Sequence, residues 1–149
     1  MEKKIAVVGY GSDIRSDDAV GIHVARYIEE HVPGVMVRTG MNAVDLVMLF
    51  PEVDKVILVD AAFMDEEPGT HVRVPFDTVN LPNDSSFSHD MNFRELLPLA
   101  RQMEVPIPEI IFYLIRPKNL EFGDTMTDEM HAGMDGLISS LMEELRQDL

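Results

Sequence analysis

Cysteine is absent from this sequence, and positively charged residues are scarce. Without cysteine the chain has no disulfide framework and no thiolate chemistry. The 12 Lys and Arg residues are outnumbered by 27 Asp and Glu residues, giving a net charge of −15 at pH 7. Because such a chain has nothing to offset the repulsion of phosphates, nucleic acid is not expected as a partner. An acidic surface suits solubility or a basic protein partner instead.

Long apolar runs, internal repeats and linkers are missing as well. No window approaches the length of a membrane span, and the apolar run after Lys3 and Lys4 is too short for the core of a signal peptide. The length of the chain suits one hydrophobic core. We therefore expect a single domain over residues 1–149, no membrane association and a cytoplasmic location.

Short apolar segments alternate with amphipathic ones. Strands are predicted over residues 5–8, 35–37, 55–60, 71–74 and 110–115. Helices are predicted over residues 20–31 and 44–50, after His89, and from Thr127 onward. This alternation predicts an α/β fold, a doubly wound, mostly parallel twisted sheet of about five strands with helices on both faces. Residues 71–74 are expected to pair antiparallel at an edge.

Two residues carry specific expectations about helices. Pro98 lies within the helix predicted after His89, and it predicts a kink or a split because proline disrupts a helix interior. Thr127 precedes the last amphipathic segment, where a hydroxyl can accept a hydrogen bond from the first helical turn. We therefore expect Thr127 to cap the last helix.

Three candidate functional residues follow predicted strands. Asp18 belongs to an acidic pair after the first strand, Asp60 ends the third strand, and His89 lies in the loop after the fourth. In an open α/β sheet, the loops after parallel strands converge at one edge. Two carboxylates and an imidazole would suit a borderline divalent ion such as Ni²⁺ or Zn²⁺, with positions left for water or substrate.

Each type of candidate also has a purely structural interpretation. An acidic residue at a helix start is most often an N-cap, and this is the expectation for Asp17. An aspartate that closes a buried strand, as Asp60 does, often only accepts hydrogen bonds from loop amides. The remaining histidines are expected to be solvated side chains: His23, His31, His71 and His131.

Four segments of the chain resemble one family. Residues 9–21, Gly-Tyr-Gly-Ser-Asp-Ile-Arg-Ser-Asp-Asp-Ala-Val-Gly, resemble the opening motif of the hydrogenase maturation endopeptidases. Residues 56–61, Val-Ile-Leu-Val-Asp-Ala, are similar to the family's central strand, and residues 87–89, Phe-Ser-His, to the segment that ends in its metal-binding histidine. Residues 115–127 resemble the family's Pro-x-x-Leu-Glu-x-Gly loop and the start of its last helix. The resemblance covers almost the whole chain in the right order.

The resemblance implies a peptide hydrolase that trims the C-terminal extension from the precursor of a nickel-iron hydrogenase large subunit. Asp18, Asp60 and His89 correspond to the family's metal-binding residues, and they are expected to bind the metal and to carry catalysis. The nickel ion arrives in the precursor, held by the precursor's own cysteines, and other divalent ions can occupy the site. No further cofactor is required, and cleavage after a basic residue is expected to depend on nickel insertion.

The chain also departs from the family pattern. Ser12 stands where the family has Asn, and Ala19 stands where a glycine often follows the acidic pair. Residues 38–41, Arg-Thr-Gly-Met, replace the Asp-Gly-Gly-Thr loop that is implicated in cleavage. Arg38 changes the charge of the cleft, and it could pair with an aspartate of the site or with an acidic terminus of the substrate. This departure leaves open a non-peptidase relative that checks or assembles the metal site without cleaving.

A dinucleotide-binding oxidoreductase is a third alternative. Gly9 and Gly11 follow a strand, and Arg38 follows the next strand, where a cation suits a 2′-phosphate. However, Ile14 occupies the position of the third glycine of the fingerprint, and the acidic pair lies where a pyrophosphate would meet the helix. This alternative is therefore disfavoured.

Overall fold

A five-stranded sheet forms the centre of the part of the chain that the structure describes. The structure, a computed structural model, describes residues 3–76 and 92–149. Within these residues the strands and α-helices are β1 (Ile5–Gly9), α1 (Val20–His31), β2 (Met36–Thr39), α2 (Ala43–Leu49), β3 (Lys55–Ala61), β4 (His71–Pro75), α3 (Leu96–Gln102), β5 (Glu109–Ile115) and α4 (Asp128–Asp148). No helix in these two ranges is long and apolar enough to cross a membrane.

The strand order is β2-β1-β3-β5-β4. Strand β1 pairs in parallel with β2 and β3, and β3 pairs in parallel with β5. Strand β4 pairs antiparallel with β5 at one side of the sheet, as its sequence predicted. The four parallel strands therefore end at a common boundary, here called the carboxyl edge, which consists of residues 10–19, 40–42, 62–70 and 116–127.

Both faces of the sheet are covered by helices. On β3, Ile57 and Val59 belong to a core that includes α1 and α4, whereas Val56 and Leu58 belong to a second core that includes α2 and α3. Successive side chains of a strand point to opposite faces, so a strand buried on both sides must be apolar throughout. The doubly wound α/β prediction is confirmed.

A change of helix type lies two residues before Pro98, where the sequence predicted a kink or a split, and α3 itself continues through the proline. A 3-10 helix, Phe93–Glu95, is followed directly by the short helix α3. Pro98 is the third residue of α3, where the N–H groups of the first turn have no partner within the α-helix. The proline therefore costs the helix little at this position.

Helix α4 crosses the loop before β4 at a contact between two glycines. A Cβ atom at Gly133 would lie 2.1 Å from the carbonyl oxygen of Gly69. A Cβ atom at Gly136, about one turn further along, would have its nearest neighbour at 3.8 Å, on His71. Only the first of these two helical glycines is required by packing.

Alanine substitutions at these two glycines are expected to change stability in opposite directions. Gly133→Ala forces the helix away from backbone atoms and should lower the free energy of unfolding by about 1–3 kcal/mol. Gly136→Ala should raise it by about 0.5–1 kcal/mol, because alanine removes the conformational cost of glycine in a helix. Urea denaturation of the two variants measures both values, and changes of the same sign would contradict the packing described here.

A buried charged cluster also fastens α4 to the sheet. Glu144 accepts a hydrogen bond from Arg73 Nε at 2.7 Å and another from the Tyr113 hydroxyl, and its Oε2 lies 2.5 Å from Lys55 Nζ. Lys55 Nζ also lies 2.5 Å from a carboxylate oxygen of Asp148. Burial raises the pKa of Glu144, but the hydrogen bonds from Arg73, Lys55 and Tyr113 outweigh burial and lower it to about 2.

Acid is therefore expected to weaken the attachment of α4. Because the pKa of Glu144 is lower in the folded chain, its contribution to stability is present above about pH 4.5 and is lost as the pH falls toward 2. Glu144→Gln should reduce the free energy of unfolding by about 3 kcal/mol at neutral pH, and this deficit should shrink by about 2 kcal/mol between pH 6 and pH 3. Urea unfolding of both proteins across this range tests the expectation, which a deficit independent of pH would contradict.

Candidate active site at the carboxyl edge

The loop after β1 brings the acidic pair to the carboxyl edge. It contains a 3-10 helix, Ser16–Ala19, which leads directly into α1 and packs against β3. Asp17 is 0% exposed and Asp18 is 2% exposed. Two adjacent carboxylates are thus removed from solvent beside the ends of β1 and β3.

Glycines allow this loop to approach the strand so closely. A Cβ atom at Gly9 would lie 2.2 Å from the carbonyl oxygen of Gly21, at the start of α1. A Cβ atom at Gly11, whose φ is +141°, would lie 1.9 Å from the carbonyl oxygen of Asp18. Backbone packing accounts for the Gly-x-Gly pair, which therefore needs no bound dinucleotide to explain it.

Asp17 joins the first loop to the loop after β5. Its carboxylate accepts hydrogen bonds from four donor groups: the backbone N–H of Lys118 at 2.8 Å, that of Asn119 at 2.9 Å, that of Thr127 at 2.7 Å and the Thr127 hydroxyl at 3.0 Å. The N-cap prediction for Asp17 is wrong, because Asp17 lies inside the 3-10 helix and accepts hydrogen bonds from a distant part of the chain. The charge is balanced by N–H and O–H dipoles, which is how a buried carboxylate is commonly satisfied.

Thr127 occupies the N-cap position of α4, but its hydroxyl does not cap that helix. The hydroxyl donates to Asp17 instead. Thr127 therefore stands at the predicted N-cap position, but its hydroxyl does not accept the predicted hydrogen bond from the first helical turn. As a result, the start of α4 is fixed to the same buried carboxylate that holds the loop after β5.

Asp60 lies on β3, immediately beside the carboxyl edge. It is the penultimate residue of β3, it is 0% exposed, and its Oδ1 accepts a hydrogen bond of 2.8 Å from the backbone N–H of Ala61. This contact agrees with the structural interpretation of an aspartate that closes a strand.

Tyr10 is a residue of this region that sequence reasoning missed. It follows β1 directly, its backbone N–H donates to the Val59 carbonyl at 2.9 Å, and its side chain is buried. Burial, together with the charge of Asp60, raises the pKa of the Tyr10 hydroxyl, which therefore stays protonated at neutral pH. Its position immediately after a central strand is the signal that could have identified it.

The structure places Asp18 in the 3-10 helix after β1, which packs against β3, and Asp60 near the end of β3. Gly9 of β1 is in register with Val59 of β3, so the residues that follow them share the carboxyl edge. His89, the third predicted residue, lies outside the described residues. In residues 3–76 and 92–149, no three His, Cys, Asp or Glu side chains are grouped so that they could hold a metal ion. The ligand set Asp18, Asp60 and His89 stays a prediction.

Arg38 lies near the end of β2, also at this edge. Its side chain is exposed, and its guanidinium donates to the carbonyl of Val37 at 2.8 Å. Within the described ranges it forms no ion pair with Asp18, Asp60 or any other carboxylate. Gly40 follows with φ at +61°, and its N–H donates to the Gly9 carbonyl at 2.9 Å. The end of β2 therefore presents a positive charge to solvent.

The four histidines that the structure describes lie outside the candidate site. His31 and His131 are exposed, as predicted, and His23 is half-buried. The prediction of a solvated side chain is wrong for His71, which is half-buried with its Nε2 at 3.0 Å from Ser140 Oγ on α4. Burial lowers the pKa of His71. Its environment indicates a role in packing between β4 and α4.

The family model of the hydrogenase maturation proteases matches residues 2–144 of the chain. The chain belongs to the hydrogenase maturation protease family. This is a family of peptidases, and the resemblance noted from four sequence segments is confirmed. The match extends over nearly the whole chain, including both acidic segments.

Similar proteins agree with this assignment. A Methanocaldococcus jannaschii protein, named provisionally as a hydrogenase maturation protease, is 26% identical over 99% of this chain and 100% of its own length. The nickel-iron hydrogenase maturation protease HycI of Thermococcus kodakarensis has a similar structure, with a TM-score of 0.74 and 21% identity over 97% of this chain and 94% of that one. The maturation endopeptidase HybD of E. coli aligns with a TM-score of 0.76 and 18% identity over 97% of this chain and 93% of that one. At these identities the two structures show a shared fold.

Proposed function

We propose that this protein is a cytoplasmic, nickel-dependent endopeptidase that removes the C-terminal extension of a nickel-iron hydrogenase large-subunit precursor after nickel insertion. The observation that carries this proposal is the pair of buried carboxylates in a member of this family: Asp18, in the loop after β1, and Asp60, near the end of the adjacent parallel strand β3. The cytoplasmic location and the identity of the precursor remain predictions from the sequence.

The chemistry of the carboxylates supports a role in metal recognition. Aspartate oxygens, with the imidazole of His89, form a mixed oxygen and nitrogen set that suits a borderline divalent ion. Such a set is incomplete by itself, which suits an ion that already has ligands in the precursor. Asp18 and Asp60 are almost fully buried, and a low-dielectric environment strengthens their attraction for a cation.

The proposed reaction uses the precursor's nickel ion as a checkpoint. Asp18, Asp60 and His89 would contact that ion and so hold the nearby extension in the cleft. Water is added across the scissile C–N bond, which leaves a carboxylate on the mature subunit and an amine on the released peptide. The nickel ion can polarise the scissile carbonyl or activate the water, and a carboxylate can accept the proton.

Tyr10 contributes a neutral hydroxyl to this edge. Burial and the charge of Asp60 raise the pKa of Tyr10 above its ordinary value, so its side chain is a neutral hydroxyl.

A second candidate function is a metal-site checking or assembly protein of the same family. It is favoured by Arg38, whose exposed cation lies where the family has the carboxylate of its cleavage loop. Such a protein would bind the nickel-loaded precursor through the same aspartates without cutting it.

The intact mass of a nickel-loaded large-subunit precursor, measured before and after incubation with this protein, tests the proposal. Loss of a C-terminal peptide from the nickel-loaded precursor, with no loss from a nickel-free sample, is the expected result. Nickel-dependent co-purification without a change in mass would favour the assembly protein. If the protein neither cleaves nor binds the nickel-loaded precursor, both candidate functions are wrong.

A further inference from the structure

Two large apolar side chains are exposed side by side at the carboxyl edge. Ile14 is 62% exposed and Phe122 is 83% exposed. Ile14 belongs to the loop after β1, and Phe122 belongs to the loop after β5. Exposed apolar side chains are common singly, but a pair contributed by two loops of a candidate site indicates a contact surface.

Backbone hydrogen bonds hold these two side chains in place. Arg15 and Gly123 form a parallel β-bridge, in which Gly123 N–H donates to the Ile14 carbonyl at 2.9 Å and Ser16 N–H donates to the Gly123 carbonyl at 3.0 Å. The bridge puts Ile14 in register with Phe122. The Ser16 hydroxyl adds a hydrogen bond of 2.8 Å to the Glu121 carbonyl. The apolar pair is therefore presented on a fixed backbone, so little conformational entropy is lost when a partner covers it.

This surface is continuous with the candidate site. The bridge at Arg15 and Ser16 leads directly into the 3-10 helix that contains Asp18. On the other loop, Asn119 is bonded to Asp17 through its N–H and its carbonyl. A peptide that reaches Asp18 could therefore extend across Ile14 and Phe122 without leaving the carboxyl edge.

Most of the charges beside the apolar pair are negative. Glu121 and Asp124 flank Phe122 and its following glycine, both are exposed, and neither forms an ion pair within residues 3–76 and 92–149. The nearest cation is Arg15, in the bridge itself, and its Nε donates a hydrogen bond to the Leu120 carbonyl at 3.2 Å. Complementary charge would therefore be supplied by a basic segment.

We infer, on the basis of the proposed function, that Ile14 and Phe122 form a docking rim for an apolar and positively charged peptide segment of the hydrogenase large-subunit precursor. Burial of the Phe122 ring and the Ile14 side chain supplies most of the affinity, since aromatic anchors commonly dominate such contacts. Glu121 and Asp124 steer the basic part of the segment. The rim determines which precursor is bound, whereas the aspartates of the site report whether nickel is present.

Cleavage kinetics with a nickel-loaded precursor test the rim. Ile14→Ser and Phe122→Ser should each raise KM at least tenfold and leave kcat within about twofold, because the contacts are made equally in the ground state and the transition state. Met48→Ser is the matched control, since Met48 is 58% exposed on α2, away from the carboxyl edge. It should leave both constants unchanged. The double variant Glu121→Gln, Asp124→Asn should weaken binding at low salt and reduce its salt dependence.

The outcomes separate the rim from the proposed function. If the unmodified protein cleaves the precursor and the two serine variants keep its KM, the rim is wrong and the peptidase function stands. If the unmodified protein binds without cleaving, a tenfold rise in Kd for Phe122→Ser supports the rim, and an unchanged Kd overturns it. If the unmodified protein neither binds nor cleaves the loaded precursor, both inferences fail.

Discussion

Replacing Asp18 or Asp60 by asparagine is expected to lower the rate of precursor cleavage by at least about 10³-fold, which corresponds to about 4 kcal/mol of lost transition-state stabilisation. Each substitution keeps the size of a buried side chain and removes the negative charge that would contact nickel. The fold should survive, because the side-chain oxygen of asparagine can still accept a hydrogen bond such as the one from Ala61 N–H to Asp60. His89→Ala is expected to have the same effect on cleavage.

Single-turnover cleavage of a nickel-loaded precursor, followed on a denaturing gel, measures this loss. Asp13→Asn is the matched control, since Asp13 lies in the same loop but is exposed, with an ion pair of 3.2 Å to Arg26. A surface pair of this kind contributes little, so the control should retain full activity. Thermal unfolding of every variant verifies that the fold is intact. A triple variant of Asp18, Asp60 and His89 with undiminished cleavage would show that the site has been misplaced.

Removing the carboxylate of Asp17 is expected to destabilise the chain more than any other single change at this edge. Asp17→Ala leaves four donor groups of the loop after β5 and of Thr127 without their acceptor, at a cost of about 3–5 kcal/mol. Asp17→Asn retains one carbonyl oxygen as an acceptor but turns an NH₂ group toward the other donors. It should therefore lower the free energy of unfolding by less than Asp17→Ala does. Cleavage should fall in both variants, because Asp17 holds the turn that carries Asp18.

Urea denaturation gives the stability of both Asp17 variants, and amide hydrogen exchange shows where the structure loosens. Protection should fall at residues 116–127 and at the start of α4, while residues 55–61 stay protected. Asp13→Asn again serves as the control for loss of an aspartate in this loop. An Asp17→Ala protein with unchanged stability and exchange would contradict the tethering role of this residue.

The fold could be predicted because each part of it is encoded locally. Residues 55–60 form a continuous apolar run, as required of a strand covered on both faces, and the segment from His71 alternates, as expected of a strand at the edge. The family resemblance added four motifs, in the family's order, that together cover almost the whole chain. These local signals determine the order of the strands and helices along the chain, and general rules of α/β topology determine most of the way in which they are connected.

The roles of individual polar residues could not be predicted in the same way, because their partners are distant in sequence. Asp17 accepts hydrogen bonds from residues 101 to 110 positions away, so the helix start beside it gave a misleading signal. Glu144 lies on an amphipathic helix, where its pattern gave no sign of burial against Arg73 and Tyr113. Such contacts depend on the docking of one element on another.

The nickel K-edge absorption spectrum of a loaded precursor, frozen rapidly after mixing with this protein, tests the central claim most directly. If Asp18 and Asp60 contact the precursor's nickel, the ion should gain oxygen ligands on complex formation with the unmodified protein. The gain should be absent with the double variant Asp18→Asn, Asp60→Asn. A nickel coordination shell that is the same in the free precursor and in both complexes would contradict recognition of the metal by these carboxylates.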